Sequence, residues 1–132
     1  MINSIISDFI TRIRNGILVR HQIVETRVTK MTVAIAKILV DEGFIQHFEI
    51  IENGSVETLL IYLKYNSLNR KPTIQNLKLI SKPGRRIYVT KKNLPKTIGN
   101  FGTAILSTSQ GVMSHRKARS KNLGGEVLLY VY

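Results

Sequence analysis

Apolar residues recur at helical spacing over residues 3–15, where Ile6, Phe9, Ile10, Ile13 and the following Ile17 fall on one stripe. Asn3 or Ser4 is placed to cap the start of this helix, and Gly16 to end it. The β-branched run Ile23–Val28 reads as a short strand. Thr29 then caps a second helix, whose apolar face carries Met31, Ala34, Ile35, Ile38 and Leu39 and which stops at Gly43. Phe44–Ile51 and Val56–Tyr65 flank Glu52-Asn53-Gly54-Ser55, and Asn-Gly between two β-rich runs predicts a hairpin. The first half is expected to be α-β-α-β-β, with two helices packed on a small sheet.

The polar, basic stretch Asn66–Thr73 marks a boundary, so the expected subdomains are 1–66 and 67–132. Beyond it, Ile74–Ile80 and Arg85–Thr90 read as strands joined by the turn Ser81-Lys82-Pro83-Gly84. Lys91–Gly102 is a loop containing proline and glycine. Thr103–Thr108 is a strand leading into Ser109-Gln110-Gly111, and Ser114 caps a short basic helix through about Lys121. Glu126–Tyr132, opened by Gly124-Gly125, is the closing strand. The expected class is α+β: two small α/β subdomains, the second mostly β with a short helix.

Charge separates the halves more sharply than pattern does. Residues 1–66 hold seven basic and seven acidic side chains, whereas residues 67–132 hold thirteen basic groups against one acid, Glu126. All of the net charge of +12 therefore sits in the second half. A merely solvated surface would intersperse both signs, so the imbalance points to a polyanionic partner, nucleic acid before membrane or acidic protein.

Composition excludes several other chemistries. A hydrophobic fraction of 43% in 132 residues supports a real core. With no cysteine, disulfides, thiolate metal sites and cysteine nucleophiles are out. No apolar run, Leu59 to Leu63 included, approaches the roughly 20 residues that span a bilayer. Asp8, Arg12 and Arg14 interrupt the first apolar stretch, so it does not read as a signal or transit peptide. His21, His47 and His115 lack metal-ligand spacing, and there is no phosphate-binding glycine loop. A metal-dependent nuclease needs clustered carboxylates, and the basic half has one. Neither a catalytic residue nor a cofactor or metal is expected.

The candidate binding groups lie in the basic half. In Ser107-Thr108-Ser109-Gln110-Gly111, three consecutive hydroxyls at a strand end face outward together, suited to phosphates, 2′-hydroxyls and base edges. The alternative is an ordinary serine-rich turn that caps its own backbone. Alternation puts Arg86 and Tyr88 on one strand face and Arg85 and Ile87 on the other. Tyr88 then either stacks on a base or sugar, with an arginine on phosphate, or belongs to the core. Ser114–Lys121, which includes Arg116, has little apolar face, and its repulsion calls for an anion; Lys91, Lys92 and Lys96 add charge nearby in sequence. Glu126 either accepts a hydrogen bond from RNA, orients a neighbouring arginine, or forms a simple surface salt bridge.

These residues carry a family resemblance. Ser107-Thr108-Ser109-Gln110-Gly111-Val112-Met113, then Ala118-Arg119, Gly124-Gly125-Glu126-Val127-Leu128 and the final Tyr130-Val131-Tyr132 resemble the closing signature of small-subunit ribosomal protein number eight, the bacterial-type family also encoded by plastids. Thr11-Arg12-Ile13-Arg14-Asn15 is similar to its first-helix motif, and Lys82-Pro83-Gly84-Arg85-Arg86-Ile87-Tyr88 to its central one. The resemblance covers nearly the whole chain, in order.

It implies a two-part protein that binds a helical element in the central domain of small-subunit ribosomal RNA, joins early in assembly and neighbours other small-subunit proteins. It also implies no membrane and no small-molecule substrate. Carried over, the contacting positions are Ser107, Thr108, Ser109, Gly111, Tyr88 and Glu126, with Arg85, Arg86 and Arg116 on phosphates and Lys30 and Arg14 as further candidates. Three positions depart from the family pattern: His115 and Lys117 stand where acids are common, and Tyr132 where the family usually has tryptophan. Eighteen isoleucines and nine asparagines against four alanines suit an AT-rich genome, a plastid before a bacterium. The competing readings are an RNA-directed enzyme and a DNA-compacting or acidic-membrane-binding protein.

Overall fold

The structure is a computed structural model that describes residues 2–90, 92 and 102–132. The chain forms two compact units, Met1–Gln75 and Asn76–Tyr132. The first contains α1 (Ile2–Leu18), β1 (Ile23–Arg27), α2 (Lys30–Asp41), β2 (Ile45–Asn53) and β3 (Val56–Leu63). The second contains β4 (Leu77–Leu79), β5 (Tyr88–Val89), β6 (Thr103–Thr108), β7 (Gly111–Ser114), α3 (His115–Ser120) and β8 (Gly125–Val131). The class is α+β, as the hydrophobic pattern indicates.

In the first unit the antiparallel sheet runs β1-β3-β2, with Ile6, Phe9, Ile10 and Ile13 of α1 and Ile35 and Leu39 of α2 buried. Helix α1 begins at Ile2, ahead of both expected caps, and continues through Gly16. Gly16 serves packing, since a Cβ there would collide with the Val24 side chain of β1. The helix ends because Arg20 turns left-handed at φ 61°. The Arg20 N–H then reaches the Ile17 carbonyl at 3.1 Å and the His21 N–H the Gly16 carbonyl at 2.9 Å, a Schellman closure without glycine.

Thr29 caps α2 as expected, accepting from the Thr32 N–H at 3.0 Å while Thr32 Oγ1 accepts from the Thr29 N–H at 2.9 Å. That reciprocal cap draws Thr32 into the buried face, with Ile35, Ala36 and Leu39, and leaves Met31, Ala34 and Ile38 only partly covered. The β2–β3 hairpin pairs Asn53 with Val56, so its two-residue loop is Gly54-Ser55, with positive φ at Gly54.

The boundary expected at residue 66 falls instead between Gln75 and Asn76. The polar stretch folds back on β3: Tyr65 bridges Pro72, the Thr73 N–H bonds the Lys64 carbonyl at 2.9 Å, and the Asn66 N–H bonds the Lys71 carbonyl at 2.8 Å. Arg70 and Lys71 thus pass to the first unit, leaving eleven basic side chains against Glu126 in the second.

The second unit is an antiparallel sheet ordered β4-β8-β6-β7, with β5 also on β8. Strands β4 and β5 are shorter than their apolar runs suggest and lie in line along one edge of β8. Leu77–Leu79 pairs with Val131–Leu129, and Tyr88–Val89 with Glu126–Gly125. Between them, buried Ser81 closes the connection, its Oγ accepting from the Ile87 N–H at 3.0 Å. Helix α3 packs on one face, where Ala104, Leu106, Met113, Ala118, Val127 and Val89 form the core. Strand β7 has no separate signal in the sequence; pairing with β6 creates it. Of the expected loop Lys91–Gly102, only Lys92 and Gly102 lie within the described residues.

Replacing Gly16 with alanine tests the α1–β1 contact. Helix propensity favours alanine by about 1 kcal/mol, but overpacking costs about 1–3 kcal/mol. We expect a net loss of about 1 kcal/mol, read as a lower urea midpoint at unchanged m value. An equal or higher midpoint would show that α1 shifts freely from β1.

Candidate nucleic-acid interface

The hydroxyl segment forms the β6–β7 hairpin, with Thr108 paired to Gly111 and Ser109-Gln110 as the loop. Gly111 holds φ 110°, which disfavours any side chain there. Within this turn the hydroxyls divide. Thr108 Oγ1 donates to the Gly111 carbonyl at 2.8 Å and accepts from the Gln110 N–H at 3.2 Å, so it closes the turn on itself. Among the described residues, the Ser107 and Ser109 hydroxyls form no hydrogen bond. The self-capping turn raised by the sequence is thus present at Thr108, while Ser107 and Ser109 keep unbonded hydroxyls.

Register assembles the rest of the site. Ser107 lies opposite Glu126 on β8, and Glu126 lies opposite Tyr88 on β5. Directly paired residues share a face, so Tyr88, Glu126 and Ser107 form one row spanning about 10 Å. Their neighbours Val89, Val127 and Leu106 point to the opposite, core face. Tyr88 is 69% exposed, which removes the core reading for this residue.

Arg86 lies on the same side, its Nη1 3.1 Å from Glu126 Oε2. The carboxylate side chain is 18% exposed and the guanidinium 42%. A pair this open contributes about 0–1 kcal/mol, so it orients Arg86 beside Tyr88 more than it stabilises the fold. The row depends on Gly125, because a Cβ there would collide with the Ser107 backbone carbonyl.

The other candidates sit elsewhere. Arg85 is exposed in the Pro83-Gly84 turn, where its N–H bonds the Lys82 carbonyl at 2.9 Å. Arg116 reaches back to β6, donating to Thr103 Oγ1 at 2.8 Å. Thr103 is four residues from Ser107, about 13 Å along the strand, so Arg116 does not join the Tyr88–Ser107 row. Lys30, the first residue of α2, and Arg14, on α1, are exposed in the first unit. Lys91 and Lys96 lie outside the described residues.

The family model for Ribosomal protein S8 matches residues 4–132. The chain belongs to the ribosomal protein S8 family. It is 53% identical to small ribosomal subunit protein uS8c of Gracilaria tenuistipitata var. liui and 50% identical to that of Rhodomonas salina, each over 132 residues and the full length of both chains. It is also 52% identical to small ribosomal subunit protein uS8 of Nostoc punctiforme over 130 residues, 98% of each chain. The S8 family is a ribosomal, structural one, and these relatives are of plastid and cyanobacterial type.

Sequence reasoning missed the part His115 plays in this S8-family chain. It is buried, and its Nδ1 accepts the Ala104 N–H at 3.1 Å, extending β6 where β7 gives way to α3. In sequence it stands beside Arg116 and Lys117, and only pairing brings it to Ala104. Ser114 still caps α3, accepting from the Lys117 N–H at 3.3 Å, so the unusual residues at the helix start leave the cap in place.

The division among hydroxyls yields a stability test. Thr108→Val removes both turn hydrogen bonds and should cost about 1–2 kcal/mol. Ser107→Ala with Ser109→Ala should stay within about 0.5 kcal/mol of the parent. Urea midpoints check both, and equal losses would contradict the assignment.

Proposed function

We propose that this chain is a structural constituent of the small ribosomal subunit that binds a helical element of the central domain of small-subunit ribosomal RNA and supports subunit assembly and translation. The single observation that carries the RNA interface is the row Tyr88–Glu126–Ser107, with the Ser109 hydroxyl beside it and Arg86 tethered to Glu126. An exposed aromatic ring offers a stacking platform for an unpaired base or a ribose. Uncharged hydroxyls contact 2′-hydroxyls and base edges, and Thr108 and Gly111 hold their turn in shape. Arg85, Arg86, Arg116 and the lysines supply phosphate contacts that set affinity without reading sequence. Arg14 and Lys30 supply further phosphate contacts from the first unit.

In this reading Glu126 has a definite use. A carboxylate on a phosphate-binding face is repulsive unless a cation or donor meets it, and Arg86 meets it here. The pair presents the guanidinium in a fixed direction while its charge remains attractive to RNA. Partners are the ribosomal RNA and neighbouring small-subunit proteins, with no cofactor, membrane or small-molecule substrate. The plastid type of several relatives supports a plastid ribosome, and the cyanobacterial relatives support a bacterial one.

Binding to a central-domain fragment of small-subunit ribosomal RNA, measured across salt concentrations, tests the proposal. Log affinity should fall linearly with log salt. Ser107→Ala with Ser109→Ala should reduce discrimination against unrelated structured RNA while leaving that slope nearly unchanged. Tyr88→Ala should weaken binding by about 1–3 kcal/mol. Undiminished discrimination by the double variant would refute the hydroxyl assignment, and turnover of RNA by the purified protein would refute the structural role.

A further inference from the structure

His115 is only 4% exposed, and the Tyr88–Glu126–Ser107 row makes no use of it. It is the first residue of α3 and directly follows Ser114, where β7 ends. Its Nδ1 accepts the Ala104 N–H at 3.1 Å, so the neutral ring carries its proton on Nε2. Ala104 is itself fully buried in β6, three residues before Ser107. On one side Ala104 pairs with Tyr130 of β8, but on the other the pairing of β6 with β7 runs out at Ile105 and Ser114. The imidazole takes over one position further on. It supplies the acceptor that another strand residue would have supplied, and so ties β6 to the start of α3.

That tie lasts only while Nδ1 keeps its lone pair. A proton there turns the acceptor into a donor facing the Ala104 donor, and puts a cation where the side chain is cut off from water. The charges around it oppose the proton. Arg116, Lys117 and Arg119 stand on the same helix, whose start is also the positive end of its dipole. The strands packed against α3, β6 and β7, carry no ionisable side chain. On β8, Tyr130 lies opposite Ala104, and Glu126 lies opposite Ser107 with Arg86 on its carboxylate. Residues 91–101 add three lysines and no acid to this unit. We propose that His115 is a pH-sensitive clasp: on taking up a proton it releases β6 from α3 and loosens the unit that carries the Tyr88–Glu126–Ser107 row. Only the consequence for RNA rests on the functional reading above; the clasp is a property of the fold. The folded chain holds the ring neutral, whereas the unfolded chain protonates it near the ordinary histidine value of about 6.5. Fewer protons are then bound in the folded state, so stability is complete above that value and falls as pH is lowered through it.

Urea unfolding of the full chain at pH 7.5 and pH 5.5, followed through the amide signals of β6 and β8, tests this against His115→Asn. Asparagine sets its Oδ1 where Nδ1 stands, so it accepts the Ala104 N–H and takes up no proton in this range. The parent's folding equilibrium constant should fall about tenfold more than the variant's over these two pH units. The exposed His21 and His47 are common to both chains and cancel in the comparison. An equal fall in both chains, or a steeper one in the variant, would overturn the clasp. Nitrogen NMR of the parent decides the matter if the variant does not fold. Nδ1 of His115 should stay unprotonated for as long as the Ala104 amide is protected from hydrogen exchange, and both should be lost together as pH is lowered. A protonated His115 beside an Ala104 amide that keeps its protection contradicts the proposal. Affinity of the parent for the central-domain RNA fragment at pH 7.5 separates the two readings. If the fragment is not bound while the unfolding contrast holds, the functional reading is wrong and the clasp stands; if it is bound and the contrast is missing, only the clasp is wrong.

Discussion

The candidate interface depends on how closely β6 approaches β8 at Gly125. A side chain there would collide with the Ser107 carbonyl, so the ladder can close in this register only over a glycine. Once closed, it fixes what lies beside what: Ser107 against Glu126, and Glu126 against Tyr88. A one-residue slip of β8 would turn Glu126 toward the core face and break the row, because side chains alternate along a strand. The core reinforces the register from the other side, where Leu106, Val127 and Val89 bury together with Ala118 of α3. A single interaction thus ties the hydrophobic face of the second unit to the polar face opposite.

That polar face divides its labour by chemistry. Arginine and lysine give reach and affinity but are indifferent to sequence. The serine hydroxyls are uncommitted within the protein, whereas Thr108 is spent on its own turn. The Arg86–Glu126 pair stands between these roles, a local charge device whose value is direction more than stability. Rigid strands suit this arrangement better than a loop would, because neighbouring groups are held at the fixed spacing of the sheet.

The first unit is far closer to neutral. It holds nine basic side chains against seven acids, and its sheet turns Glu25 and Glu49 outward beside exposed apolar groups.

Much of this was legible in the sequence. Local signals suffice for α1, β1, the Thr29 cap, the hairpin, β6, Ser114 and β8, because periodicity, caps and turn residues act within a few positions. The charge asymmetry and the hydroxyl segment are likewise features of the sequence alone. Only the tertiary structure decided the matters that rest on non-local pairing. Gly16 proved to be a packing residue and Arg20 the helix terminator, because Val24 lies against the helix. Strand β7 exists only beside β6, His115 acts on Ala104 across the sheet, and Arg116 turns toward Thr103. Sequence by itself named Ser107, Tyr88 and Glu126, scattered over almost forty positions. Strand register alone placed them in one row, since hydrogen bonding between strands is blind to distance along the chain.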